Sequence, residues 1–283
     1  MSIIIRAPHT SELASLKDIW HTVFGDVGKN SFYDTLYEKE HTIIAEQSGK
    51  PVAMGYIAEA GDLISEELSL PCAMLYGIAT LPECRGQGIG TAVVNELINT
   101  AFNLDYEAAV LCPSEDSLFE YYGKNTKLRD WFYTKEIQLN KKAIPKSTGN
   151  CRVTQITPTE YMELRESLLK DIPHIKSSRA SLEYQQKLCD ELGGGLYKIG
   201  SSCAIVEIQP CGEVWVKELL NGTENADDLI ACVATHFNSA GYLIRQPCKI
   251  GDGRRFGMFL TNGDMPIPEA NSSYLPWYGP AFD

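Results

Sequence analysis

No C-x-x-C pair occurs among the nine cysteines of this 283-residue chain. Their odd number and their places in apolar runs argue against a zinc site or a disulfide framework. They read as small core residues of a protein kept in a reducing compartment. No apolar run approaches the ~20 residues needed to span a bilayer. The opening MSIIIRAPHT has no basic segment leading into a long apolar one, so no secretory signal is expected. A surplus of basic charge is also missing. The net charge is −12; residues 1–140 carry 10 basic and 20 acidic residues, and residues 141–283 carry 15 and 17. Such a surface is a poor partner for nucleic acid. It attracts a cationic small molecule or basic peptide, and it equally serves solubility. A soluble, cytoplasmic protein with no membrane partner is the expectation. His21, His41 and His236 have no ligand spacing, so no metal is expected.

What the chain does have is a 44% hydrophobic composition and a length that suggests about two domains. SIIIRAP reads as a strand. A helix follows, with Leu13, Leu16, Ile19, Trp20 and Phe24 at helical spacing. NSFYDTLYEKE reads as a second helix, and HTIIAEQSGKPVAMGYIAEA as a hairpin turning at Gln-Ser-Gly-Lys-Pro. PCAMLYGIATLP is apolar almost throughout and reads as a buried strand. A glycine loop and a helix with Val93, Val94, Leu97, Ile98 and Phe102 on one side come next. EAAVLCP, SEDSLFEYYGKN and RDWFYTKEIQL close the order as strand, helix and strand. LNKKAIPKSTGN then shifts to basic residues, Pro, Gly and Ser, as a linker does. Beyond it the same order recurs, as a duplication without evident identity. The expected organisation is a domain at 1–140, a linker at 141–150 and a second domain at 151–283.

The stretch CRGQGIGTAV, residues 84–93, carries the chemistry. Glycines before a helix present backbone N–H groups to phosphate. No lysine follows them, which excludes a P-loop, and Thr91 stands where a dinucleotide loop has its third glycine. A plain tight turn remains open. Gly86, Gly88 and Gly90 let the amides of Gln87 to Gly90 turn toward a pyrophosphate. The helix starting near Ile89 adds its positive end and Arg85 a fixed charge. The corresponding stretch of the second half, LLNGTENAD, has one glycine, no arginine and, with the residue just after it, three acids in or beside the turn. That half should not bind the same phosphate.

Arg85, Gly88 and Gly90 form the R-x-x-G-x-G pattern that resembles the GNAT superfamily of N-acetyltransferases, and YGIATLPECRGQGIGTAVV looks like that family's strand, proline and loop. The resemblance implies an α/β (α+β) fold of two tandem domains. Each has a mixed, mostly antiparallel sheet flanked by helices, and the second is degenerate. It implies acetyl-CoA as co-substrate, held by the loop from Arg85 to Thr91 (Arg85, Gly86, Gln87, Gly88, Ile89, Gly90, Thr91) and by the backbone of Ile78, Ala79 and Thr80. It implies a primary amine of a small molecule or peptide as acceptor. A tyrosine in the helix after the fifth strand would protonate the leaving thiolate, and its position falls on Tyr122. Tyr121, on another side of that helix, should go into packing. The family's Gly-Phe after this tyrosine is replaced here by Thr126-Lys127. In tandem relatives resembling the enhanced-intracellular-survival proteins, the terminal carboxylate enters the acceptor site, which implies Asp283 near Tyr122. Trp20, Phe24 and Tyr33 are the acceptor-pocket expectations. An inactive CoA-binding regulatory or interaction protein is the alternative, and a homodimer stays open.

Overall fold

The computed structural model describes residues 2–65, 68–146, 152–263 and 273–282. Its elements run β1 (Ile3–Arg6), α1 (Leu13–Phe24), α2 (Lys29–Thr35), β2 (Thr42–Gln47), β3 (Lys50–Ser65), β4 (Leu68–Thr80), α3 (Ile89–Asn103), β5 (Ala108–Leu111), α4 (Asp116–Asn125) and β6 (Arg129–Asn140). They continue with β7 (Val153–Gln155), α5 (Pro158–Leu169), β8 (His174–Ser177), α6 (Arg179–Glu191), β9 (Gly195–Ile199), β10 (Ser202–Ile208), β11 (Val214–Leu220), α7 (Ala226–His236), β12 (Gly241–Gln246) and β13 (Arg254–Thr261). Residues 147–150 of the expected linker fall outside the described residues. The mixed α/β fold is as the resemblance implied. The second helix is shorter than NSFYDTLYEKE suggested, because it stops at Thr35. Two strands went unread in the sequence, β8 and β13.

The chain forms two compact units, and these do not follow chain order. The first comprises residues 1–63, 69–131 and 257–268; the second comprises 64–68, 132–256 and 269–283. In the first unit β1, β2 and β3 are antiparallel neighbours, β4 follows β3, and β4 pairs in parallel with β5. The antiparallel partner on the other side of β5 is β13, through Met258–Thr261. In the second unit the order is β7-β9-β10-β11-β12, with β11 and β12 the parallel pair. Its outer strand is β6, antiparallel to β12 over Asn140–Lys135. Each unit therefore completes its sheet with a strand from the other half of the sequence.

The first unit's core forms between α3 and the sheet. Val93, Val94, Leu97, Ile98 and Ala101 of α3 are buried with Ile43, Ala45, Ala53 and Ile57. A 3.6-residue period puts these α3 positions on one face. Gly55 in β3 permits the close approach: a Cβ there would stand 2.6 Å from Leu97 Cδ1. Among the described residues, seven cysteines are free thiols. Cys232 is disulfide-bonded, which the reading against a disulfide framework did not foresee. Among the described residues, no helix is long and apolar enough to cross a membrane.

Candidate active site

β4 and β5 are in register only over Cys72–Met74 and Ala108–Val110. β4 then runs on to Thr80 with no registered partner on that side, so the two strands fork. Parallel strands normally satisfy their backbone groups by continuous pairing, and a fork leaves some of them open. Ile78, Ala79 and Thr80 lie on this free length. Ala79 is buried, and Ile78 packs partly against the α3 core, so their side chains are taken by the core. Gly77 just before them has a φ of +56°, and a Cβ there would stand 2.9 Å from the Tyr56 ring and 3.1 Å from Trp20. Only glycine fits this kink without strain.

The fork opens onto the glycine loop. Gly86 and Gly88 have φ of +74° and +76°, and a Cβ at either would meet no atom within 4 Å. These two glycines are there for backbone conformation rather than for packing. α3 starts at Ile89 with Gly88 as its N-cap, with no side-chain cap and no acid in its first turn. Its leading N–H groups are thus left to an external acceptor. Arg85 Nε donates to the Thr80 carbonyl at 3.0 Å. That bond fixes the arginine beside the end of β4 and uses one of its five donors.

The paired tyrosines of α4 both pack against the α3 core, to different depths. Tyr122 is 7% exposed and belongs to the core around α3. Burial, then the neighbouring Tyr121, pushes its phenol up to about 12. Tyr121, expected to go into packing, is half-buried, and its hydroxyl is 2.6 Å from Thr91 Oγ1. A Cβ on Gly90 would lie 3.6 Å from that hydroxyl and 3.6 Å from Thr80 Oγ1. Tyr121 is therefore the α4 tyrosine at the start of α3. The helical 100° offset separated the two residues correctly, but the missing family Gly-Phe left nothing in the sequence to say which faces which way.

The three acceptor residues come together. Trp20 is stacked on Phe32 at 5.0 Å and lies edge-on to Phe24 and Tyr33 at 5.4 and 5.9 Å. Phe24 is 45% exposed and forms the rim, while Trp20 is buried with its indole N–H unpartnered. The sequence reading missed Tyr37, Tyr56 and Tyr76, which complete the cluster. The Tyr33 and Tyr56 hydroxyls are 2.5 Å apart, and burial raises both phenols well above the ordinary value. Tyr56 and Tyr76 sit on adjoining strands next to Gly77, and that glycine was the signal that two strands and a helix crowd here.

Asp283 lies outside the described residues. The tail before it is seated in the second unit. The Trp277 indole donates to Glu218 at 2.6 Å, and the Phe282 ring meets Tyr184 at 4.9 Å. Glu218 also accepts from the Tyr161 hydroxyl and from Arg165 Nε, and all four side chains are buried. A carboxylate with this many donors holds a buried guanidinium without an orphan charge.

A forked parallel pair that runs into an uncapped glycine loop and helix is the distinguishing feature of this mixed sheet-and-helix fold. Residues 11–122 match the family model for the acetyltransferase (GNAT) family, and the chain carries a domain of that family. A probable N-acyltransferase from Enterococcus faecalis superposes with a TM-score of 0.68 at 12% identity, over 92% of this chain and 73% of that one. A putative acetyltransferase from Pyrococcus horikoshii does so at 0.61 and 14%, over 99% and 95%. A tandem GNAT protein from the clavulanic acid biosynthesis pathway gives 0.56 and 12%, over 94% of this chain and 99% of that one. At such identities the likeness is one of fold. No curated protein sequence matches the chain.

Proposed function

We propose that the first unit is an N-acetyltransferase that moves an acetyl group from acetyl-CoA to a primary amine of a small molecule or peptide by direct attack. The observation that carries this is the fork of β4 from β5 after Met74, opening onto the uncapped start of α3. Acetyl-CoA supplies an activated thioester carbonyl. The amides from Gly86 to Thr91 and the remaining Arg85 N–H groups would hold its pyrophosphate, with the α3 dipole adding to the attraction. The free edge of Ile78–Thr80 would pair with its amide-bearing arm as an added strand does. The Trp20, Phe24 and Tyr33 cluster would hold the acceptor beside Gly77.

An alkyl ammonium must lose its proton before it attacks, and its ordinary pKa is ~10.4. No acid stands on β4 between Leu68 and Thr80, so water carries that proton in this reading. With its phenol pushed up to about 12 by burial, Tyr122 keeps its proton at neutral pH and can donate it to the leaving thiolate. Among the described residues no hydrogen bond engages the Tyr122 hydroxyl, which leaves it free for that role. The burial of Tyr122 in the core favours one second reading, a CoA-binding regulatory protein without turnover.

Thermal-shift measurements with acetyl-CoA, CoA, NAD and ATP test the binding half. Stabilisation by the two CoA species alone is expected, and stabilisation by NAD or ATP alone overturns it. Thiol release against a panel of amines separates transfer from mere binding. Tyr122→Phe should lower kcat by about 10²-fold or more and leave CoA binding intact. Unchanged kcat in that variant removes Tyr122 from the chemistry.

A further inference from the structure

A threonine hydroxyl in a helix can turn back to a carbonyl of its own helix. Three threonines here do so: Thr22 donates to the Asp18 carbonyl, Thr126 at the end of α4 to Tyr122, and Thr235 to Ala231, each at 2.8 Å. Thr91 does not. It is the third residue of α3, so the residue four places back, Gln87, lies before the helix. Its hydroxyl stands instead 2.6 Å from the hydroxyl of Tyr121 on α4. Helical side chains lean toward the N-terminus of their helix. The Thr91 hydroxyl is therefore held beside the open amides that follow Gly88.

Tyr121 is fixed from behind. Its half-buried ring packs against the α3 core and meets the Tyr122 ring at 5.3 Å and 70°. Its hydroxyl end lies at Gly90, where a Cβ would stand 3.6 Å from it and 3.6 Å from Thr80 Oγ1. Thr80 is the last residue of the forked strand, and its carbonyl accepts from Arg85 Nε. Hydroxyls from β4 and from α4 thus flank Gly90, where the free edge of β4 meets the start of α3. A pair of hydroxyls uses one proton between them and keeps a second to give away. With an anion at the start of α3, Tyr121 donates to Thr91 Oγ1 and Thr91 donates onward to the anion. Hydrogen bonds in such a chain strengthen one another.

We propose that Tyr121 is a positioning residue for the acyl donor, which holds the Thr91 hydroxyl so that it donates to the pyrophosphate of acetyl-CoA. This rests on the reading of the first unit as an acetyl-CoA-dependent transferase and adds to it a residue from outside the glycine loop. The two adjacent tyrosines of α4 then serve different ends of one ligand, Tyr122 the leaving thiolate and Tyr121 the pyrophosphate.

Isothermal titration of the full chain with CoA, joined to steady-state kinetics, tests this. Tyr121→Phe and Thr91→Val should each weaken CoA binding about tenfold, as the loss of one hydrogen bond to a charged group does. The double variant should bind no more weakly than either single one, because both break the same chain. Thr91→Ser keeps the hydroxyl and should keep the affinity. In turnover the Tyr121→Phe loss should fall on KM for acetyl-CoA and not on kcat. It should vanish with S-acetylpantetheine as donor, which carries the thioester and no pyrophosphate. Four results overturn the proposal: CoA affinity unchanged in Tyr121→Phe, additive losses in the double variant, an equal loss in Thr91→Ser, or an equal loss with S-acetylpantetheine. A wild-type chain that binds no CoA overturns the reading beneath it as well, so the two failures are told apart by the wild-type titration.

Discussion

α3 and α7 hold the same place in the order of their units and begin in opposite ways. α3 starts after Gly88, with no cap and no acid, beside Arg85. α7 starts after Asn225, whose side chain accepts from the Asp227 amide, with two acids in its first turn. Next to Asn225, Glu224 accepts from the Ser201 amide and from the Ser201 and Ser202 hydroxyls at 2.6–2.7 Å. A helix N-terminus attracts an anion. The second unit supplies that anion from its own chain, and the first leaves the donors to something else. One scaffold thus yields an open helix start or a closed structural turn, according to a few residues in one loop.

The same contrast runs through the two cores. Behind β4, the first unit packs Trp20, Phe32 and Tyr56, a cluster of rings. Behind β11, the second unit packs Arg165, Tyr161 and Trp277 on Glu218. The largest expected effect comes from breaking this ionic cluster. Glu218→Ala leaves a buried guanidinium uncompensated and should cost about 3–5 kcal/mol in urea unfolding. Replacing both charges, with Arg165→Met and Glu218→Leu, should recover most of that loss. If the double variant is no more stable than the single one, the carboxylate matters through Trp277 and Tyr161 rather than through the charge.

Next comes the loop itself. Arg85→Glu puts a negative charge beside the start of α3, as the second unit does beside α7. CoA affinity should fall at least a hundredfold, about 2.7 kcal/mol, with little change in unfolding, because Arg85 is exposed and makes one bond to Thr80. Equal CoA affinity in titration calorimetry would reduce the loop to a turn.

The sequence made the glycine turn before α3 legible because glycine at positive φ is a local requirement. Gly86 and Gly88 need no tertiary contact to explain them. The α3 face was legible for the same reason, since its period is written into consecutive residues. β13 was not, because its place beside β5 is set by a partner almost 150 residues away, and nothing local marks GMFLT as part of the first unit. The aromatic cluster was half legible. Trp20, Phe24 and Tyr33 lie on two successive helices, while Tyr56 and Tyr76 join them only once the hairpin folds back. Tyr121 and Tyr122 show the limit most sharply. Adjacent residues of one type must face different ways on a helix, but which one the core takes depends on Met258, Leu128 and the α3 face around it.

The smallest expected effect concerns the anion that the second unit supplies to itself. Burial raises the Glu224 carboxyl, but bonds from Ser202 and Ser201 outweigh it and hold the group at about 2. Its folded value lies below the ordinary ~4.3 of a glutamate. The stabilisation is therefore complete above that value and fades as pH falls toward about 2. Glu224 is only partly buried, so solvent screening keeps the contribution under about 1 kcal/mol. Glu224→Gln should remove that much stability at neutral pH and flatten the acid limb of the second unit's unfolding curve between about pH 4 and 2. Glu12 is the control in the first unit: its bonds to Arg6 hold it at about 2 as well, so its own acid limb should persist in the Glu224 variant. If both limbs flatten together, the acid sensitivity is shared between the units, and the self-supplied anion of α7 is not what sets it.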